Sequence, residues 1–223
     1  MKKIYKRLFA VMITLMLLLT AVPAYAKSDT IKVPATLKLT LYSSRDTTSA
    51  MGPRNIGWLC EIRGKATKLA SSNKSVATLS QSSSGGYSFL YVYPKKAGTT
   101  TVSFKVNSKT YKTKVTVRKY TNAISSVKIG KTTLSSSKFN TSSVCNLSYS
   151  KFANKKSTVT IKLKKGWKLV NGFCYFQKGW RKSSKFYKSG KAITVKGGKG
   201  FCIMFDVINQ STGQIEAYYI PFK

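Results

Sequence analysis

Residues 109–118 read Lys-Thr-Tyr-Lys-Thr-Lys-Val-Thr-Val-Arg. Tyr111, Thr113, Val115 and Val117 fall on one side of an extended chain, and Lys112, Lys114, Thr116 and Arg118 on the other. Successive side chains of a strand point to opposite faces, so this stretch predicts a strand with one face for a core and a cationic face for water. The same period recurs at Leu37, Leu39 and Leu41, at Val102, Phe104 and Val106, and at Val159, Ile161 and Leu163. No sustained apolar period of 3.6 residues follows residue 26. Short strand runs separated by Gly, Asn and Ser turns predict an all-β chain built of sandwiches.

The N-terminus reads differently. Lys2, Lys3, Lys6 and Arg7 precede an uncharged apolar run from Leu8 to Val22, then Pro23 and Ala24-Tyr25-Ala26. A cationic start, a short apolar core and a small-x-small site describe an export signal of residues 1–26. An extracellular product is expected, released or held non-covalently at the cell wall, because no apolar tail or sorting motif ends the sequence. Export permits disulfides, and Cys60, Cys145, Cys174 and Cys202 are present. None forms a Cys-x-x-Cys pair, and four cysteines allow three pairings. Bridges and buried thiols acting as small apolar side chains both remain open.

After a tail of residues 27–35, the strand runs divide at a short link, 119–122, into a first domain at 36–118 and a second at 123–223. Each has enough chain for one sandwich core. The link is not Gly/Ser-rich, which predicts two domains held end to end with limited swing. In the second half, Lys165-Gly166 precedes a strand from Trp167, Asn171-Gly172 marks a turn or bulge, and Phe201–Ile208 faces Gln214–Pro221 across Asn209-Gln-Ser-Thr-Gly213. In the first half, Ala70-Ser-Ser-Asn-Lys-Ser-Val-Ala-Thr-Leu-Ser80, Pro94-Lys-Lys-Ala-Gly-Thr-Thr-Thr-Val102 and Lys109–Val117 occur in order. This resembles the bacterial immunoglobulin-like domain, group 2, over about 36–118. The family's frequent Trp before Ser-Ser-Asn is Leu69 here, and Ser43–Arg63 is longer than usual, which leaves its strands unassigned. The resemblance implies a seven-strand sandwich with a stalk or adhesive role and no catalytic residue; with the strand runs of the second half, two consecutive immunoglobulin-like β-sandwich domains are expected. The second half, through Lys164-Lys-Gly-Trp-Lys168, Lys196-Gly-Gly-Lys-Gly200 and Thr212-Gly-Gln, is similar to the lysine-rich Ig-like β-domains of Gram-positive secreted proteins.

Charge narrows the function further. The chain has 40 Lys and Arg against 5 Asp and Glu, a net of +35, and no histidine. Ser-His-Asp and Cys-His catalysis are thereby excluded, as are His-containing zinc sites. Asp206 and Glu216 flank the last hairpin turn, where a glycosidase pair would have to face across it, but the reading taken is that two acids on a lysine-rich surface are simply neutralised by neighbours, with no catalytic residue. No acid-rich loop offers calcium ligands. No metal and no cofactor are expected, and the chain reads as a binding protein rather than an enzyme. After the signal only Arg45, Arg54, Arg63, Arg118 and Arg181 are arginines. Lysine acts as a hydrated point charge where arginine forks read bidentately, so low-specificity electrostatic binding is expected. Its partners would be anionic cell-envelope polymers or host glycans, with extracellular DNA bound without sequence specificity. The rival reading is a secreted cationic membrane-active toxin or antimicrobial, whose amphipathic basic helix is not visible.

The densest binding pattern is Gln177–Gly190. It sets Arg181, Lys182, Lys185 and Lys188 beside Trp180, Phe186 and Tyr187, with Trp167 as a possible second element. Cations attract phosphate or sulfate oxygens while an aromatic face stacks on a sugar or base. The same aromatics equally serve as plugs at the end of a sandwich core, with the lysines as a solvated face.

Overall fold

The alternating runs form strands, and burial follows their period. The computed structural model describes residues 31–43, 55–177, 181–183 and 185–223. The expected export signal, Asp29, Asp46, Trp180 and most of the unassigned loop before residue 55 lie outside them. The first seven strands are β1 (Thr36–Leu41), β2 (Gly57–Arg63), β3 (Thr67–Ser71), β4 (Ala77–Ser84), β5 (Tyr87–Pro94), β6 (Gly98–Val106) and β7 (Lys109–Lys119). They make one sheet in the order β1-β7-β6-β3 and another in the order β2-β5-β4. β1 runs parallel to β7, Leu37 opposite Val115 and Leu39 opposite Val117. Four strands facing three, with the first strand beside the last, is an immunoglobulin-like arrangement.

Val102, Phe104, Val115 and Val117 point inward from β6 and β7 and meet Leu59, Ile62, Leu90 and Val92 from the other sheet. Burying each such side chain stabilises the fold by about 1.5–3 kcal/mol. A bulge between Trp58 and Cys60 lets Leu59 and Cys60 both face this core while Trp58 points out. The Ser-Ser-Asn motif closes the corner after β3. The Thr100 hydroxyl accepts from the Asn73 backbone N–H at 2.9 Å and meets the Ser71 and Ser72 hydroxyls at 2.9 and 3.1 Å.

The remaining strands are β8 (Ile124–Ile129), β9 (Thr132–Ser135), β10 (Lys156–Leu163), β11 (Trp167–Gln177), β12 (Arg181–Lys182), β13 (Lys191–Thr194), β14 (Cys202–Asn209) and β15 (Ile215–Pro221). Their sheets run β13-β10-β8-β9 and β12-β11-β14-β15. They enclose a second core in which Phe139, Phe173, Phe201, Phe205, Tyr218 and Phe222 are buried. The last hairpin forms as the sequence predicts, but its two acids do not meet. Asp206 pairs with Ala217 and Glu216 with Val207, one residue out of step, so the pleat sends them to opposite faces and Glu216 is buried. That geometry removes the glycosidase pair. All four cysteines are thiols, Cys60 in the first core and the other three in the second sandwich.

Candidate functional site

The basic aromatic segment is an irregular edge strand on β11. Gln177 pairs with Arg181 and Phe176 with Lys182 in the two-residue β12. Ser183 continues the pairing, its N–H donating to the Tyr175 carbonyl at 2.7 Å, and Tyr187 then exchanges backbone bonds of 2.7 and 2.8 Å with Phe173. Between these two pairings the segment has more residues than the stretch 173–175 it faces, an irregular register of the bulge kind. Ser183 braces the bulge, its hydroxyl accepting from the Tyr175 N–H at 3.2 Å and donating to the Lys185 carbonyl at 3.0 Å.

Lys185 and Phe186 are lifted into solvent, Phe186 at 42 % exposure, and Lys188 is exposed beyond them. Tyr187 turns back to the protein. Its ring stacks on Phe173 at 5.5 Å and on Tyr175 at 5.9 Å, with the Lys185 ammonium 5.5 Å above its centroid. Tyr175 in turn stacks on Phe201 at 5.1 Å. Burial, and then the Tyr187 hydroxyl hydrogen-bonded to it, raise the Tyr175 phenol above its ordinary pKa. Beside these rings lies a shallow depression of about 220 Å³ lined by Lys156, Tyr175, Tyr187, Thr194 and Lys196.

The aromatics of the segment part here: Tyr187 packs against the second core, and Phe186 stands exposed. Tyr187 is a wedge into the core, Lys185 and Phe186 form an open platform, and the lysines of β10 and the 196–200 turn add cations the sequence did not connect to it. The signal that could have found Tyr175 is its alternation with Phe173 along β11. Trp167 does not join them. It begins β11, packs half-buried against the second core, and stands roughly 25 Å along the strand from Tyr175 at ~3.3 Å per residue. The arrangement suits an anion held by ammonium groups next to an aromatic floor. Among the described residues no group of three His, Cys, Asp or Glu gathers to hold a metal.

A second cationic surface covers the first sandwich. Lys112, Lys114 and Arg118 are exposed on the outer face of β7, with Lys38 from β1 and Lys105 from β6 on the same face. The four strands of that sheet contain no acid. On the outer face of β7, Lys112 and Lys114 are neighbours and Thr116 separates Lys114 from Arg118.

No protein-family model and no curated protein matches this chain. Among solved structures it is similar to domains 5–6 of the S-layer protein SbsC, at 14 % identity and TM-score 0.33, covering 87 % of this chain and 98 % of that one. It spans 31 % of a longer fragment of the same protein, domains 4–9. It is also similar to extracellular cadherin domains 1–4 of protocadherin gamma B7, at 9 % identity and TM-score 0.30, covering 86 % and 50 %. A further similarity is to the Yersinia pseudotuberculosis adhesin InvE, at 12 % identity and TM-score 0.20, covering 85 % and 57 %. Among the described residues no helix is long and apolar enough to cross a membrane.

Proposed function

We propose that this chain is an exported, non-catalytic surface protein that adheres to polyanionic envelope or host polymers, its first sandwich a bacterial immunoglobulin-like module of group 2. The observation that carries this reading is the acid-free sheet β1-β7-β6-β3 with its five outward cations. A one-sign surface draws polyanions by long-range attraction and releases their condensed counterions on contact. Diffuse lysine supplies charge without bidentate reading, so the ligand is chosen by charge density more than by sequence. The platform at Lys185 and Phe186 adds a second contact of the same sign.

Retention of the secreted protein on heparin resin and on duplex DNA, measured against NaCl, tests this. The logarithm of affinity should fall linearly with the logarithm of salt, equally for unrelated DNA sequences. Replacing Lys112, Lys114 and Arg118 by Gln should reduce that slope by about 2–3, near 0.9 per lost phosphate contact. Retention that persists unchanged in molar salt defeats the electrostatic reading.

A further inference from the structure

The other sheet of the first sandwich has the opposite character. From Ala77 to Pro94, through β4, its Gly-Gly turn and β5, there is no charged residue, in a chain of net charge +35. β2 adds one acid and one base, Glu61 and Arg63, and no lysine. The central strand β5 buries Ser88, Leu90 and Val92 and turns Tyr87, Phe89, Tyr91 and Tyr93 outward. Rings at alternate positions along one strand repeat every ~6.6–6.8 Å, forming a row. Neighbouring strands complete the face. Trp58 stands opposite Tyr91 on one side, and Ser80 and Ser82 stand opposite Tyr91 and Phe89 on the other. Trp58 is 59 % exposed and Tyr87 41 %, large apolar rings left in water on one continuous sheet surface.

We propose that this face is a binding site for an uncharged polysaccharide. Aromatic rings in a row present flat apolar faces to the C–H faces of successive sugars, and the neighbouring row of serine hydroxyls on β4, Ser80 and Ser82, supplies donors and acceptors for their hydroxyl groups. Charge selects the occupant. Among the described residues of β2, β4 and β5 a polyanion finds one cation, Arg63, next to Glu61, while the opposite sheet offers it five. A second copy of the chain brings the same large positive charge, and that repulsion opposes a face-to-face dimer. The protein is thus two-sided: one sheet draws anions and the other takes a neutral glycan over the same core.

The test is a pull-down of the secreted protein on chitin and on cellulose in 1 M NaCl, with chitohexaose and cellohexaose as soluble competitors. Under such salt the Debye length is ~3 Å, so attraction between exposed charges is suppressed. Retention on at least one polymer is expected. Tyr91→Ala and Trp58→Ala should each weaken it about tenfold, and Lys112→Gln with Lys114→Gln should leave it unchanged. Circular dichroism checks folding, and Trp58→Ala removes a ring that is mostly in water, so it decides the matter if Tyr91→Ala fails to fold. Loss of heparin binding with retained glycan binding would strike the polyanion reading alone. Absence of retention on both polymers, or retention indifferent to Trp58→Ala, overturns the glycan site. A concentration-dependent dimer abolished by Trp58→Ala also overturns it, and gives the face to a second copy.

Discussion

Gly172 admits no side chain, for two separable reasons. Its φ is +87°, and a Cβ built there would stand 2.2 Å from the Tyr187 carbonyl oxygen, the atom that accepts the Phe173 N–H. Gly166 has nearly the same φ, +84°, with nothing within 4 Å of its would-be Cβ. Gly166→Ala therefore carries only the left-handed backbone strain of about 1–2 kcal/mol. Gly172→Ala should cost clearly more, because it also drives the edge segment off β11, and urea unfolding of the two variants measures the difference. Cys60 offers a second test at this scale. Burial pushes its thiol from the ordinary value of about 9 up to about 11. The unfolded chain ionises first, so the thiol's contribution is intact below pH 9 and is lost as pH climbs toward 11. Wild type and Cys60→Ala should keep a constant stability difference up to about pH 9, and wild type should lose ground above it. Parallel curves across that window would show that the thiol ionises freely in the fold.

At the scale of elements, the segment after β11 divides its labour by register. Tyr187 is pinned by two backbone bonds and two ring stacks, whereas Phe186, one residue earlier, stands 42 % exposed. Tyr187→Ala should destabilise the protein by about 2–4 kcal/mol, somewhat below the cost of removing a fully buried aromatic. Phe186→Ala should stay within about 1 kcal/mol. Equal losses in chemical denaturation would refute the division. The strands themselves were legible, because alternation is a local property: Tyr111–Val117, Val102–Val106 and Val159–Leu163 place their inward and outward sets as read. The bulge at Asn171-Gly172 was legible for the same reason, as a register shift between Leu169 and Phe173. The partners of the segment were not. That Lys156 and Lys196 flank Tyr187, or that Trp167 lies at the far end of β11, depends on which strands become neighbours. The aromatic row of β5 was present in the sequence as Tyr87-Ser-Phe-Leu-Tyr-Val-Tyr93, but a search for cations beside aromatics passes over a stretch whose distinguishing property is to have none.

At the scale of the whole molecule, the two sandwiches are joined by polar groups that alternation assigns to water. Thr40 lies on the outer face of β1 yet is only 7 % exposed, because the last hairpin covers it. Its hydroxyl donates to the Ile215 carbonyl at 3.1 Å and accepts from the buried Gln214 amide. Lys38 donates to the Thr212 carbonyl at 2.7 Å, and the Ala217 N–H donates to the Tyr42 hydroxyl at 2.9 Å. Tyr42 and Tyr120 lie with ring centroids 5.8 Å apart, and the Tyr120 hydroxyl donates to the Tyr218 hydroxyl, 3.1 Å away in the second core. A junction of direct hydrogen bonds and a ring contact couples the stabilities of the two cores. We predict one cooperative thermal transition for the wild-type protein, with equal calorimetric and van't Hoff enthalpies. Tyr42→Ala removes a nearly buried ring and leaves the Ala217 N–H without that acceptor. It should cost about 3 kcal/mol and split the transition in two, each half melting by itself. Thr40→Ala should cost about 1–3 kcal/mol, because the buried Gln214 amide loses that acceptor, and should leave one transition, since the ring contact of Tyr42 and Tyr120 persists. Two separate transitions in the wild-type protein would mean that the tyrosines lie against each other without coupling the halves, and the limited swing expected of the short link would have to come from the link alone.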